Sequence, residues 1–156
     1  MDGDHYDDIL VGAVAWSGKR SYVGRVYLYL GSRKGPSGRP VTRNPVNQFN
    51  PGFGPAVDGA GDLDGDGFDD LVVGAPWEHA DKRGEGRAYI YRGTADGLAR
   101  RPAVREPSNA RQANFAAVVV GAGDVNNDGA ADLAVSAPEH PVELFQGRVY
   151  VYYRRS

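Results

Sequence analysis

Apolar positions along this chain gather in short runs separated by glycine, proline and acidic stretches, and helical periodicity is scarce. Three runs are continuous: Ile9-Leu10-Val11-Gly12-Ala13, Leu71-Val72-Val73-Gly74-Ala75 and Leu133-Ala134-Val135-Ser136-Ala137. Short apolar runs bounded by turn formers predict strands buried on both faces. Three more runs alternate: Gly24-Arg25-Val26-Tyr27-Leu28-Tyr29, Gly86-Arg87-Ala88-Tyr89-Ile90-Tyr91 and Gly147-Arg148-Val149-Tyr150-Val151-Tyr152. Val26 and Leu28 then share one face and Tyr27 and Tyr29 the other, as a strand's period of two requires. Tyr27, Tyr89 and Tyr150 are expected to pack between units. A further strand is expected at Phe53-Gly54-Pro55-Ala56-Val57 and again at 115–120, starting at Phe115. Weaker ones are expected near Pro40-Val41-Thr42 and over 102–105.

These elements recur at a fixed spacing. Asp8, Asp70 and Asp132 lie 62 residues apart, and so do Phe53 and Phe115. Four antiparallel strands in a repeat of this length make a β-propeller blade. The expected fold is therefore all-β, about two and a half to three blades of four antiparallel strands in an incomplete ring. Residues 1–156 are read as one propeller-type domain or segment. Repeat one covers 1–48 and lacks its first strand, repeat two covers 49–110, and repeat three covers 111–156 and lacks its last. Propellers close with about four to eight blades. Two arrangements would complete the ring: further blades of a longer parent chain, or copies joined as a homo-oligomer.

The polar stretch ahead of each continuous run carries the candidate chemistry. Gly61-Asp62-Leu63-Asp64-Gly65-Asp66-Gly67-Phe68-Asp69-Asp70 returns as Gly123-Asp124-Val125-Asn126-Asn127-Asp128-Gly129-Ala130-Ala131-Asp132. Oxygen side chains stand at loop positions 1, 3, 5 and 9. Calcium takes about six to eight oxygens, and alternate carboxylates converge on one ion only where the chain curls around it. Gly67 and Gly129 stand where that curl needs a positive φ. The expected ligands in loop two are Asp62, Asp64, Asp66 and Asp70 with the Phe68 carbonyl. In loop three they are Asp124, Asn126, Asp128 and Asp132 with the Ala130 carbonyl. A shortened third copy offers Asp2, Asp4, Asp8 and the Tyr6 carbonyl, with His5 in place of the glycine. Two Ca2+ ions are expected, and loop one is open between a weaker third site and an acidic turn. The bland alternative throughout is an Asp-Gly turn. Crowded carboxylates in one register repel without a cation, which favours the ion. Its expected role is structural, pinning the connection between two strands.

The chain resembles the FG-GAP repeat, the blade of the integrin α-subunit propeller and of many bacterial extracellular proteins. The resemblance rests on Phe53-Gly54 and Gly74-Ala75-Pro76 flanking the acidic loop in repeat two. Repeat three departs with Phe115-Ala116 and Ser136-Ala137-Pro138, and repeat one has Gly12-Ala13-Val14. What the resemblance implies is a calcium-stabilised adhesion or recognition module with a protein or glycan ligand. The alternative is a fragment of a calcium-containing propeller that acts on carbohydrate, as lyase or hydrolase.

Composition narrows this further. No apolar run reaches the roughly 18 residues of a membrane helix, so membrane insertion is not expected. No secretory leader is expected at Met1, where Asp2 and Asp4 follow at once. The net charge is −2 and no aromatic–basic motif of the single-strand binders occurs, so no nucleic-acid partner is expected. The chain has no cysteine, and no nucleophile elbow, phosphate loop or zinc-protease motif, so no enzyme activity is assigned. Modest calcium sites fill at the millimolar level outside the cell, which places the module extracellularly or at the cell surface. The contact face is expected at Trp16 to Tyr22 and Trp77 to Glu85, with His79 and His140 as exposed loop residues.

Overall fold

The computed structural model describes residues 1–14, 16, 23–44, 52–78, 84–106, 112–140 and 146–154. Every regular element among them is a strand. Three strands, β1 (Ile9–Ala13), β2 (Arg25–Tyr29) and β3 (Val41–Arg43), form the first antiparallel sheet in that order. The second sheet runs β4 (Val57–Gly61), β5 (Asp70–Ala75), β6 (Arg87–Tyr91) and β9 (Ala103–Arg105). Between β6 and β9 the chain makes a small hairpin, β7 (Gly93–Thr94) with β8 (Gly97–Leu98). The third sheet is β10 (Val119–Gly123), β11 (Asp132–Ala137) and β12 (Arg148–Tyr152). Registers repeat with the sequence: Ile9 faces Tyr29, Leu71 faces Tyr91 and Leu133 faces Tyr152. These are antiparallel blades of propeller type, and the described residues do not close a ring.

The sheets bury their faces against one another in two apolar clusters. Val26, Leu28, Phe53, Leu71, Val73, Tyr89 and Tyr91 fill the junction of sheets one and two. Val72, Ile90, Phe115, Leu133 and Val135 fill the junction of sheets two and three. Neighbouring residues of β5 point to opposite faces, so Leu71 and Val73 join one cluster and Val72 the other. Every residue of β5 is buried as a result. This agrees with a continuous apolar run. The expectation fails for β1, where Ile9 is 49% and Val11 44% exposed, because among the described residues only one neighbouring sheet packs on it.

The first strands also need correction. Phe53 and Phe115 precede β4 and β10 rather than starting them. Gly54 has φ +99 and Ala116 φ +65, and a left-handed residue cannot continue a strand. The kink drops each ring into a junction, where Phe53 meets Tyr89 edge-on at 5.4 Å and Phe115 meets Tyr150 at 5.5 Å. Such pairs contribute about 0.5–1.5 kcal/mol beyond the burial of the rings. The same kink brings main chains together. A Cβ on Gly12 would lie 2.0 Å from the Gly54 carbonyl oxygen, and one on Gly74 2.1 Å from that of Ala116. The Phe-Gly pair of repeat two and the Phe-Ala pair of repeat three therefore each rest on the strand glycine of the unit before.

Candidate metal centre

The acidic loops lie at one end of the sheets, where β4 turns into β5 and β10 into β11. Each begins at a break in strand register, between Gly59 and Gly61 and between Gly121 and Gly123. Gly61 and Gly123 take φ of +67 and +69, which swings the chain off the sheet edge.

In loop two the structure brings Asp62, Asp64 and Asp66 together. One carboxylate oxygen of each lies within 4.8 Å of the other two. The loop's own amides arrange them. Asp62 accepts from the N–H groups of Gly65 (2.7 Å), Asp66 (3.1 Å) and Gly67 (2.8 Å). The Asp66 N–H also donates to Asp64 Oδ1 at 3.2 Å, and the Phe68 N–H to Asp66 Oδ1 at 3.0 Å. Burial opposes the Asp62 charge, but these amides outweigh it and hold its carboxyl below the ordinary range.

Loop three repeats this pattern. The Asp128 N–H donates to Asp124 Oδ1 (3.0 Å) and Asn126 Oδ1 (2.9 Å), and the Gly129 N–H to Asp124 Oδ2 (2.9 Å). The Ala130 N–H donates to Asp128 Oδ1 at 3.0 Å. Asn126 Nδ2 bonds Asp128 Oδ2 at 2.9 Å, so an attraction stands where loop two has two carboxylates. Loop one keeps two of these bonds, Asp4 N–H to Asp2 Oδ1 at 3.4 Å and Tyr6 N–H to Asp4 Oδ1 at 3.0 Å.

The ninth-position acids stand apart from the three-carboxylate group. Asp70 is buried, with Oδ2 accepting from the Leu63 N–H (3.2 Å) and Oδ1 from the Gly93 N–H (2.9 Å). It thereby ties the start of the loop to the residue just after β6. Asp132 Oδ2 takes the Val125 N–H at 2.9 Å, and Asp8 Oδ1 the Gly31 N–H at 2.8 Å. Met1 N lies 2.9 Å from Asp8 Oδ2. Burial, with the charges of Asp64 and Asp66 adding to it, pushes the Asp70 carboxyl up to about 6 against the pull of its two amides. Sequence reasoning missed the glycine partner of this acid. Gly31 and Gly93, spaced like the aspartates, were the available signal.

The residues fit a hard cation. Their donors are all oxygen, three carboxylates already converge, and the nearby Asp70 carboxyl is raised chiefly by burial, with the charges of Asp64 and Asp66 adding to it. Arg92 Nη1 lies 3.0 Å from Asp64 Oδ2 on a side chain 65% exposed, and the Arg154 guanidinium lies against Gly65 of the same loop. Arg92 is mostly in solvent although Asp64 Oδ2 is buried, so the pair is partly screened and offsets only part of the repulsion.

At the opposite end of β5, Glu78 accepts from the Tyr89 hydroxyl and lies 3.2 Å from Arg87 Nη1. Arg87 Nε also reaches Glu106 at 2.9 Å. The matching arginine in sheet one, Arg25, lies 3.4 Å from the centroid of the Trp16 ring instead. Trp77 is 50% exposed and His140 sits 6.5 Å from the Tyr150 ring. His79 and most of the two expected contact loops, 17–22 and 79–83, lie outside the described residues.

Antiparallel blades repeated along one chain, with an acidic loop at the same joint each time, define a propeller-type repeat protein. A model of the FG-GAP repeat matches residues 53–91 and 116–152. Over 145 residues the chain is 34% identical to integrin alpha-IIb of Mus musculus and 35% to that of Homo sapiens. It is 36% identical over 146 residues to integrin alpha-V of Gallus gallus. Each alignment covers 88% of this chain and 14% of the relative, so the chain spans a small part of these proteins. The chain belongs to the FG-GAP repeat family and is an integrin α-like propeller module. Among the described residues no helix is long and apolar enough to cross a membrane.

Proposed function

We propose that this module binds calcium as a structural brace and serves adhesion or the recognition of a protein or glycan, outside the cell or at its surface. The convergence of Asp62, Asp64 and Asp66 on amide-built rails carries the metal reading. Asp124, Asn126 and Asp128 would hold a second ion, with Asp70, Asp132 and the Phe68 and Ala130 carbonyls available to complete the shells. When bound, the ion supplies positive charge that relieves carboxylate repulsion and couples binding to folding. The chain's own residues do the rest. Asp70 and Asp132 link each loop to the sheet, and the Ala131 N–H joins loop three to the Asp62 carbonyl at 2.9 Å. Adhesion is supported by likeness to proteins whose names are those of integrin α chains.

Calorimetric titration of the 156-residue chain with calcium tests the first half. Two tight sites per chain are expected, one of them lost in Asp64→Asn. Absence of saturable binding would leave the loops as acidic turns. A glycan and matrix-protein array probed with and without calcium tests the second half, with calcium-dependent capture expected.

A further inference from the structure

Loops two and three differ in charge, among their expected side-chain ligands, at one position: Asp64 stands where loop three has Asn126. Each loop meets that position with a partner of its own. Asn126 Nδ2 bonds Asp128 Oδ2 at 2.9 Å, inside the loop. Asp64 Oδ2 is buried without a hydrogen bond, and its counter-charge comes from outside the loop, from Arg92 Nη1 at 3.0 Å. The repeat shows what Arg92 replaces. Leu71 pairs with Tyr91 and Leu133 with Tyr152, so Arg92 corresponds to Tyr153. Repeat one has Leu30 at this place, and its expected acids are Asp2, Asp4 and Asp8. An arginine thus follows the tyrosine strand in the repeat whose loop offers four acidic ligands, and not in the two that offer three. The fold holds it beside the loop. The Gly93 N–H donates to Asp70 Oδ1 at 2.9 Å and the Ala99 N–H to the Arg92 carbonyl at 2.8 Å, so the main chain at 92–93 is fixed. Two further charges cancel: Asp69, exposed where loop three has Ala131, and the Arg154 guanidinium against Gly65. With both arginines counted, loop two carries the same formal charge as loop three.

We propose that Arg92 is the resident counterion of Asp64: it holds that carboxylate when no cation is bound and yields it to a cation that enters loop two. The inference rests on the calcium reading above. A guanidinium 3.0 Å from a carboxylate oxygen repels any divalent cation brought to the same group. The Arg92 side chain lies mostly in solvent, so it can turn away from the loop without moving the main chain. The pair is partly screened and therefore tunes affinity without blocking the site. Two consequences follow from the exchange. Arg92 sets the calcium affinity of loop two below what its four carboxylates would give alone. Asp64 and Arg92 also act as one unit. Removing the acid alone leaves the arginine beside the loop as an uncompensated positive charge. Removing both, with Asn and Tyr in their places, rebuilds the set of Asn126 and Tyr153 that loop three carries.

The test is a calcium titration of the intact 156-residue chain followed by amide NMR. The Gly67 N–H, bonded to Asp62, reports loop two, and the Gly129 N–H, bonded to Asp124, reports loop three. The variants are Asp64→Asn, Arg92→Tyr, the two combined, and Asp64→Asn combined with Arg105→Tyr. Arg105 is an exposed arginine of β9 and controls for loss of charge alone. An unchanged Gly129 response shows that each variant is folded. Gly67 is expected to lose tight saturation in Asp64→Asn and to regain it, at the level of loop three, when Arg92→Tyr is added. Arg105→Tyr is expected to give no recovery. Arg92→Tyr alone should tighten loop two about fivefold, the upper end for a pair with one partner in solvent. In excess chelator the same variant should melt below the unsubstituted chain, because Asp64 then faces Asp62 and Asp66 without its counterion. No recovery in the combined variant overturns the proposal, as does an unchanged loop-two affinity or an unchanged chelator melt in Arg92→Tyr. Recovery with Arg105→Tyr overturns it too, since any nearby charge would then serve. Saturation at neither glycine overturns the calcium reading and this inference with it. Saturation at both with no effect of Arg92→Tyr leaves the calcium reading standing and removes this inference alone.

Discussion

The strands β1 and β5 have nearly the same sequence and the same place in their sheets, yet they live in different surroundings. Val11 and Val73 correspond across the repeat, and Val11 is 44% exposed while Val73 is fully buried. Propensity cannot separate them. The difference, among the described residues, is a second packed sheet against β5 and one sheet alone against β1. A blade is thus a local unit in hydrogen bonding and a shared unit in burial, as expected for repeats whose stability sums intrinsic and interface terms. The acidic loops divide similarly: loop two gathers three carboxylates, and loop one shows a reduced set of the same bonds.

Metal removal should separate the loops by the largest margin. A site filled at a hundredfold excess over its Kd adds about 2.7 kcal/mol. Two such sites give about 5 kcal/mol, or a fall in Tm of roughly 10–20 °C in excess chelator for a chain of this size. Asp64→Asn should remove about half of that calcium-dependent rise, and Asp2→Asn little of it. Thermal melts with calcium and with chelator measure both. Superimposed curves would remove the structural role of the ion.

The next effect tests packing between units. Gly86 has φ +81, and a Cβ there would lie 2.2 Å from the Phe115 carbonyl oxygen, a backbone atom that cannot swing aside. Gly147 has φ +70, but its nearest such neighbour is 3.2 Å away. Gly86→Ala should cost about 3 kcal/mol or more, from strain and forced separation of the sheets. Gly147→Ala should cost about 1 kcal/mol, the conformational part alone. Urea denaturation resolves the two. Side-chain truncation comes third. Val73→Ala should cost about 2 kcal/mol through lost burial and a residual cavity, and Val11→Ala less than about 0.5 kcal/mol. Equal costs would mean that β1 is covered in solution.

Much of this was legible because the chain states each thing more than once. Three copies of an apolar run and three of a tyrosine strand located β1, β5, β11, β2, β6 and β12. The acidic loops were legible residue by residue, since their hydrogen bonds join neighbours a few positions apart. What escaped was whatever depends on the next sheet. Phe53 looks like the first residue of a strand until the left-handed turn at Gly54 sends it sideways. The β7–β8 hairpin carries one apolar anchor, Leu98, in a polar stretch, so no period announces it. Asp70 reads as a ligand by its spacing, while its bonds to Leu63 and Gly93 depend on where β6 ends. The exposure of β1 depends on a neighbour, which no local pattern encodes.

The smallest effect probes the loops where they differ by one residue. His5 takes φ +70 at the position where Gly67 and Gly129 take +91 and +86. The left-handed region costs a side-chain-bearing residue about 1 kcal/mol, and glycine enters it freely. His5 is exposed and has no hydrogen bond of its own in the loop's ladder, which runs from the Asp4 and Tyr6 amides. His5→Gly should therefore stabilise the chain by up to about 1 kcal/mol, less the entropy that a new glycine adds to the unfolded state. The reverse change, Gly67→His, should destabilise by a similar amount and lower calcium affinity at loop two. The pair distinguishes two origins of loop one's reduced set. If His5→Gly raises Tm and also adds a calcium-dependent increment, the histidine alone was holding the loop out of shape. If it raises Tm equally with calcium and with chelator, backbone strain is relieved but the shorter acid set of Asp2, Asp4 and Asp8 is what sets loop one apart.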